Sequence, residues 1–149
     1  MKFLISPAKS LDFTTNHPNI PLSTPVFSDK AVRVMSVLKK KKPADLGALM
    51  GISTSLSNLN YQRNQTFCAD PDPEMLRPAV LAFTGDVYQG LDAGTLSESL
   101  LSDLNDQGFI LSGLYGVLKP FDGIQPYRLE MGAKLPVGTK ANMVQYWKK

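Results

Sequence analysis

A chain of 149 residues, 43% apolar and 19% charged with a net charge of +3, has the length and composition of one globular domain able to bury its own core. One cysteine, Cys68, excludes an internal disulfide framework and any multi-cysteine zinc or iron–sulfur site. The longest apolar runs fall far short of the roughly 20 residues that span a bilayer, and the apolar run in MKFLISPAK is too short for a secretory signal, so a cytoplasmic location is expected.

In chain order, residues 2–5 (KFLI) read as a short buried strand stopped by Ser6-Pro7, and residues 14–28 as a surface loop rich in Thr, Asn, Pro and Ser. Ser28 or Asp29 can cap a helix over 30–41 with Ala31, Val34, Met35 and Leu38 on one face. Pro43 suits a first helical turn, so a second helix is expected from there to Gly51, and Ser53 or Thr54 can cap a third along Leu56, Leu59 and Arg63. DPDP at 70–73 forms a rigid turn. AVLAF at 79–83 reads as a buried strand ended by Gly85, and Asp86 can cap a short helix through Leu91. Thr95 or Ser97 opens a helix with Leu100, Leu101 and Leu104 inward, ended by Gly108, and 109–111 read as another strand. Strands separated by helical patterns predict a mixed α/β fold in one domain.

The net charge hides an asymmetry. Residues 29–63 balance at +5, residues 64–110 at −7 and residues 111–149 at +4. A solubilising surface would intersperse the signs. Segregation points to a polyanion met by the basic parts, or to acidic and basic segments that face each other. A metal site would depend on Asp and Glu, since His17 sits in TTNHPNIP without a Cys or His companion, and no metal or other cofactor is expected. Asp70, Asp72 and Glu74 follow Cys68 and put negative charge beside it, which disfavours a reactive thiolate and argues against a redox sensor.

Three blocks stand out: ISPAKSLDF at 5–13, LAFTGDVYQGL at 81–91 and LSGLYGVLKPFDGIQPYRLEMG at 111–132. The third packs glycines, prolines and tyrosines beside Lys119, Arg128 and Glu130, a composition suited either to an irregular loop that shapes a site or to a buried turn region with core tyrosines. Together and in this order the blocks resemble the YaaA family of peroxide-stress proteins. The resemblance implies a cytoplasmic bacterial protein that limits damage from hydrogen peroxide and unincorporated iron. It also implies sequence-tolerant binding of double-stranded DNA through a helix-hairpin-helix element. Such relatives run to about 250 residues, so this chain is expected to be an amino-terminal portion with some apolar surface exposed.

Residues 43–65 carry the helix-hairpin-helix reading. Leu46, Leu49, Gly51, Ile52, Leu56 and Leu59 follow its spacing, although Ser53 stands where a second hairpin glycine is usual. Backbone N–H groups at Gly51, Ser53 and Thr54 would meet a phosphate, with Lys39, Lys40, Lys41, Lys42 and Arg63 adding charge. The other reading is an ordinary helical hairpin with core leucines and solvated lysines.

A rival class is an enzyme. Ser6 and Lys9 end the first strand, Asp86 and Tyr88 follow the AVLAF segment, and Ser112, Tyr115, Lys119, Arg128 and Glu130 lie in the third block. If these converge, they form a polar pocket for a nucleotide or an unpaired base, with tyrosines stacking and Arg128 on phosphate. Asp86, Glu130 and Lys9 are then the catalytic candidates, the two carboxylates as acid and base. Asp86 as a helix cap is the plainer alternative. Ser6-Pro7-Ala8-Lys9 also matches a Ser-x-x-Lys nucleophile motif, without its partner motifs. The resemblance further implies a basic residue where Thr84 stands, which weakens any phosphate role there. A third possibility is a shortened chain without activity.

Overall fold

The computed structural model describes residues 1–148. The fold is mixed α/β, built from short elements in the order β1 (Phe3–Ile5), β2 (Ser10–Leu11), α1 (Ser28–Leu38), α2 (Pro43–Met50), α3 (Thr54–Thr66), β3 (Arg77–Pro78), α4 (Ala79–Ala82), β4 (Phe83–Thr84), α5 (Asp86–Leu91), α6 (Glu98–Gln107), β5 (Gly108–Ser112), β6 (Gly116–Leu118), β7 (Gly123–Ile124) and α7 (Met143–Trp147). The chain groups into two compact units. One comprises Met1–Val26, Asp72–Leu111 and Val117–Gln125; the other comprises Phe27–Pro71, Ser112–Gly116 and Pro126–Lys149.

The first unit holds a three-stranded sheet in the order β1-β5-β6, but for the strand-end residues Ser112 and Gly116. β1 and β5 run parallel with Phe3, Leu4 and Ile5 opposite Gly108, Phe109 and Ile110. Period-two alternation along β5 buries Gly108 and Ile110 and leaves Leu111 exposed. Two antiparallel pairs, β2–β4 and β3–β7, complete the strands. Ser97 caps α6 by accepting from the Leu100 N–H, and Leu101 and Leu104 face inward as expected. Leu100, expected inward, is 54% exposed. The AVLAF segment is also corrected. Ala79–Ala82 form a helical turn, and only Phe83 continues into a strand. Its side chains are mostly buried either way. Tertiary hydrogen bonds from the Ala79 and Val80 N–H groups to the carbonyls of Asp122 and Pro120 decide the backbone. Asp86 is the first residue of α5 rather than its cap, the N-cap being Gly85 at φ 125°.

In the second unit, α1 buries the expected face of Ala31, Val34, Met35 and Leu38. Its N-cap is Phe27, so Ser28 and Asp29 belong to the first turn instead of capping it. Pro43 opens α2, the Asp45 carboxylate accepts the Lys42 N–H at 3.0 Å, and Gly51 closes the helix in the left-handed region at φ 61°. Ser53 caps α3. The two helices pack closely at Gly47, where a Cβ would lie 2.9 Å from the Ser57 hydroxyl. α3 buries Ser57, Asn60 and Asn64 and leaves Leu56 and Leu59 at 37% and 41% exposure. Of the third sequence block in this unit, residues 112–116 form a buried turn, while in 126–132 Tyr127 and Leu129 are buried and Glu130 and Gly132 are exposed. Tyr115 and Tyr127 are buried edge-on to each other, and a Cβ on Gly113 would lie 2.2 Å from the Leu129 carbonyl. The Trp147 indole donates to the Gly113 carbonyl at 2.9 Å.

Candidate nucleic-acid interface

The α2–α3 hairpin turns through three residues, Gly51, Ile52 and Ser53. Gly51 takes a conformation that L side chains rarely adopt, and this reverses the chain tightly enough for α3 to start at once. The Ser53 side chain satisfies the Leu56 N–H, and the Ser57 N–H bonds to the Ser53 carbonyl. The N–H groups of Thr54 and Ser55, in the first turn, have no acceptor within the helix and lie among exposed residues. Helix polarity places partial positive charge at the same point.

The lysine tract precedes this hairpin, and its members differ. Lys40 and Lys42 are exposed and Lys41 is half-exposed. Lys39 instead donates its ammonium to the Phe67 carbonyl at 2.8 Å, while the Gln65 amide donates to the Lys39 carbonyl at 2.9 Å. Lys39 therefore ties α1 to the end of α3. The unit that contains tract and hairpin carries twelve lysines and arginines against four carboxylates, a balance of +8, whereas the other unit stands at −5. The charge asymmetry of the sequence is thus an asymmetry between compact units.

Arg63, on the last turns of α3, is half-buried. Its guanidinium donates to the Asn60 Oδ1 at 3.5 Å, and burial, followed by the charge of Arg128, pushes its pKa down from the ordinary arginine range.

The residues expected to line a polar pocket divide between the units: Ser6, Lys9, Asp86, Tyr88 and Lys119 in the first, and Ser112, Tyr115, Arg128 and Glu130 in the second. Within the first, the Tyr88 hydroxyl donates to the Ser6 carbonyl at 2.8 Å, and burial pushes its pKa up. Ser6, Lys9, Asp86 and Lys119 are exposed. Within the second, the Ser112 Oγ accepts the Tyr115 N–H at 3.0 Å and shares a 2.6 Å hydrogen bond with the Tyr127 hydroxyl. That closes the Ser112–Tyr115 turn and gives the buried serine a structural task. Glu130 is exposed.

Two features had no counterpart in the sequence reading. Arg77, buried, donates to the carbonyls of Leu81 at 3.0 Å and Thr15 at 2.6 Å, and approaches the Asp12 carboxylate at 3.9 Å. It borders a cleft of about 340 Å³ with His17, Thr84, Tyr88 and Asp92. The buried amides of Asn60 and Asn64 are the second. Their signal was polar residues at positions 57, 60 and 64, a helical spacing masked by the leucines beside them. Among the described residues no three His, Cys, Asp or Glu side chains are placed to hold a metal ion, and no helix is long and apolar enough to cross a membrane.

Comparison with known proteins adds a family. A family profile described as "Peroxide stress protein YaaA" matches residues 1–149. A "UPF0246 protein" of Flavobacterium johnsoniae is 50% identical over 148 residues, 99% of this chain and 59% of the relative. One from Caulobacter vibrioides is 48% identical over 147 residues, 99% of this chain and 57% of its own length. Another from Roseobacter denitrificans is 46% identical over 148 residues, 99% of this chain and 56% of the relative. The chain thus spans less than two thirds of the length of these curated relatives. With its entire sequence matched by the profile, the chain belongs to the YaaA family of peroxide-stress proteins.

Proposed function

We propose that this chain binds double-stranded DNA without sequence preference, through the α2–α3 hairpin and the lysines that precede it, and thereby limits iron-dependent damage to DNA during peroxide stress. The observation that carries the reading is the hairpin turn itself: Gly51 in the left-handed region, open N–H groups at Thr54 and Ser55, and exposed Lys40 and Lys42, all in a unit with a balance of +8. Open N–H groups at a helix start are suited to a phosphate oxygen, and lysines add attraction that is indifferent to base sequence. The family name supplies the peroxide context. Neither feature offers a group that reads base edges.

The test is a salt titration of binding to labelled duplex, comparing the 149-residue chain with a variant carrying alanine at Lys40, Lys41 and Lys42. Lys39 is left intact because it anchors α3. The slope of log affinity against log salt should fall by up to about 0.9 for each lysine that meets a phosphate. Duplex nicked by ferrous iron and peroxide should be protected by the chain and less so by the variant. A folded chain that does not bind duplex, or an unchanged slope in the variant, overturns the reading.

A further inference from the structure

The hairpin makes no use of two of the three sequence blocks, 5–13 and 81–91. Together they shape the cleft of about 340 Å³ bordered by Arg77, which lies wholly within the first unit. β2 of the first block pairs with β4 of the second, and the Tyr88 hydroxyl of the second donates to the Ser6 carbonyl of the first. Asp12, at the end of the first block, accepts the N–H groups of Thr14 and Thr15 and so sets the loop whose residues 15–18 line the cleft. Arg77 ties that loop down through the Thr15 carbonyl.

The lining is of two kinds. Val80, Phe83 and Ala93 are buried and give it an apolar base. Asn16, Thr84, Gln89 and Asp92 bring side chains that make no hydrogen bond among the described residues. Asp92 is also the only described residue other than glycine at positive φ, 43°. Its backbone is held from both sides: its N–H donates to the Tyr88 carbonyl at 3.0 Å, and its carbonyl accepts the N–H and the hydroxyl of Thr95, each at 2.9 Å. The carboxylate is thus carried on a fixed main chain in a sparsely populated conformation, of the kind that gathers at functional sites.

Charge narrows the occupant. The Arg77 guanidinium donates to two carbonyls and lies 3.9 Å from Asp12, so its charge is answered within the fold. Asp92 is the one carboxylate of the lining, and the unit around it stands at −5. That field opposes a phosphorylated ligand. The volume is at the lower end of the range for small-molecule sites, enough for a compact molecule with an apolar face and several neutral polar groups.

We propose that this cleft binds an unphosphorylated nucleoside. A carboxylate accepts from ribose hydroxyls, as one does in dinucleotide-binding folds, and Asp92 is placed to take that part. The flat base covers the apolar base of the cleft at Val80 and Phe83. The amides of Asn16 and Gln89, each both donor and acceptor, match the mixed donor and acceptor edge of a nucleobase. The site is independent of the duplex reading, since it uses neither the hairpin turn nor the lysines before it.

The test is isothermal titration calorimetry of the full chain with adenosine, guanosine, cytidine and uridine in turn. At least one should bind with a Kd below about 1 mM. Its 5′-monophosphate, opposed by the acidic unit, and its 2′,3′-dideoxy analogue, lacking the hydroxyls for Asp92, should each bind at least about tenfold more weakly. Asp92→Asn keeps a residue that tolerates the left-handed region, so the fold should survive while nucleoside affinity drops at least about tenfold. Its salt slope for duplex binding should not change. Failure of all four nucleosides to bind the folded chain overturns the proposal. So does a monophosphate, a dideoxy analogue or free ribose that binds as tightly as the nucleoside, or a folded Asp92→Asn chain with unaltered affinity. Should Asp92→Asn fail to fold, Gln89→Ala decides, because Gln89 is exposed and its side chain holds nothing in place. A loss of at least about threefold there supports the site, and unchanged affinity overturns it. The Lys40, Lys41 and Lys42 alanine variant should bind the nucleoside as the original chain does, so loss of duplex binding there tests the other reading alone.

Discussion

Asp12 shows how one side chain organises a loop. Its carboxylate accepts from the N–H of Thr14 at 2.8 Å and of Thr15 at 3.0 Å. The Thr15 hydroxyl, then these backbone donors, hold its pKa far below the usual carboxylate range. A depressed pKa contributes stability that is present above the unfolded value, about 3.9, and lost as pH falls through the folded one. Asp12→Asn should therefore unfold at lower urea than the original chain at pH 7. The difference should shrink below about pH 4, where the unfolded chain takes up the proton and the advantage of the ionised group declines. A deficit that stays constant from pH 7 to pH 3 would show that geometry rather than charge matters at this position. The anchoring of this loop was illegible in the sequence, since Asp12, Thr14 and Thr15 lie in a local turn while Arg77, which holds the Thr15 carbonyl, is 62 residues away.

At the scale of elements, the hairpin combines a helix that obeys its pattern with one that does not. α2 was legible from Pro43 at its start, Gly51 at its end and Leu46 between them, and Leu46 is fully buried. Leu46→Ala should cost about 2–5 kcal/mol in denaturant unfolding, the usual range for a truncated buried leucine. Leu59→Ala, on the exposed side of α3, should stay within about 0.5 kcal/mol. If the two leucines cost the same, α3 is turned the other way and Asn60 and Asn64 are on its surface. Leucine spacing predicted the helix but not its rotation. With Ser57, Asn60 and Asn64 at one helical spacing and Leu56 and Leu59 at another, two faces competed. Packing of Ser57 against Gly47 belongs to the face that won. A similar ambiguity affected 79–82, where a short apolar run fits a strand or a helical turn and the carbonyls of Pro120 and Asp122 made the choice.

For the whole molecule, the segregation of charge into compact units makes a separable prediction. α6 carries Glu98, Asp103 and Asp106 in the acidic unit. The salt slope of duplex binding counts cations that meet phosphates. Replacing these three carboxylates by their amides should leave the slope unchanged while affinity at low salt rises modestly, as a global field would require. A steeper slope would mean that the acidic unit itself approaches the duplex, and the interface would have to extend beyond the hairpin.

The sequence by itself determined the family, the mixed α/β class, the starts of α2, α3 and α6 to within a residue or two, and the buried face of α1, because caps, prolines and a single apolar period act within a few residues. Tertiary structure alone decided which side of α3 is buried, that Lys39 is an anchor while Lys40 and Lys42 are exposed, and that Ser112 closes a turn against Tyr127. Each of these depends on partners distant in sequence, and a local pattern carries no record of which distant group a side chain will meet.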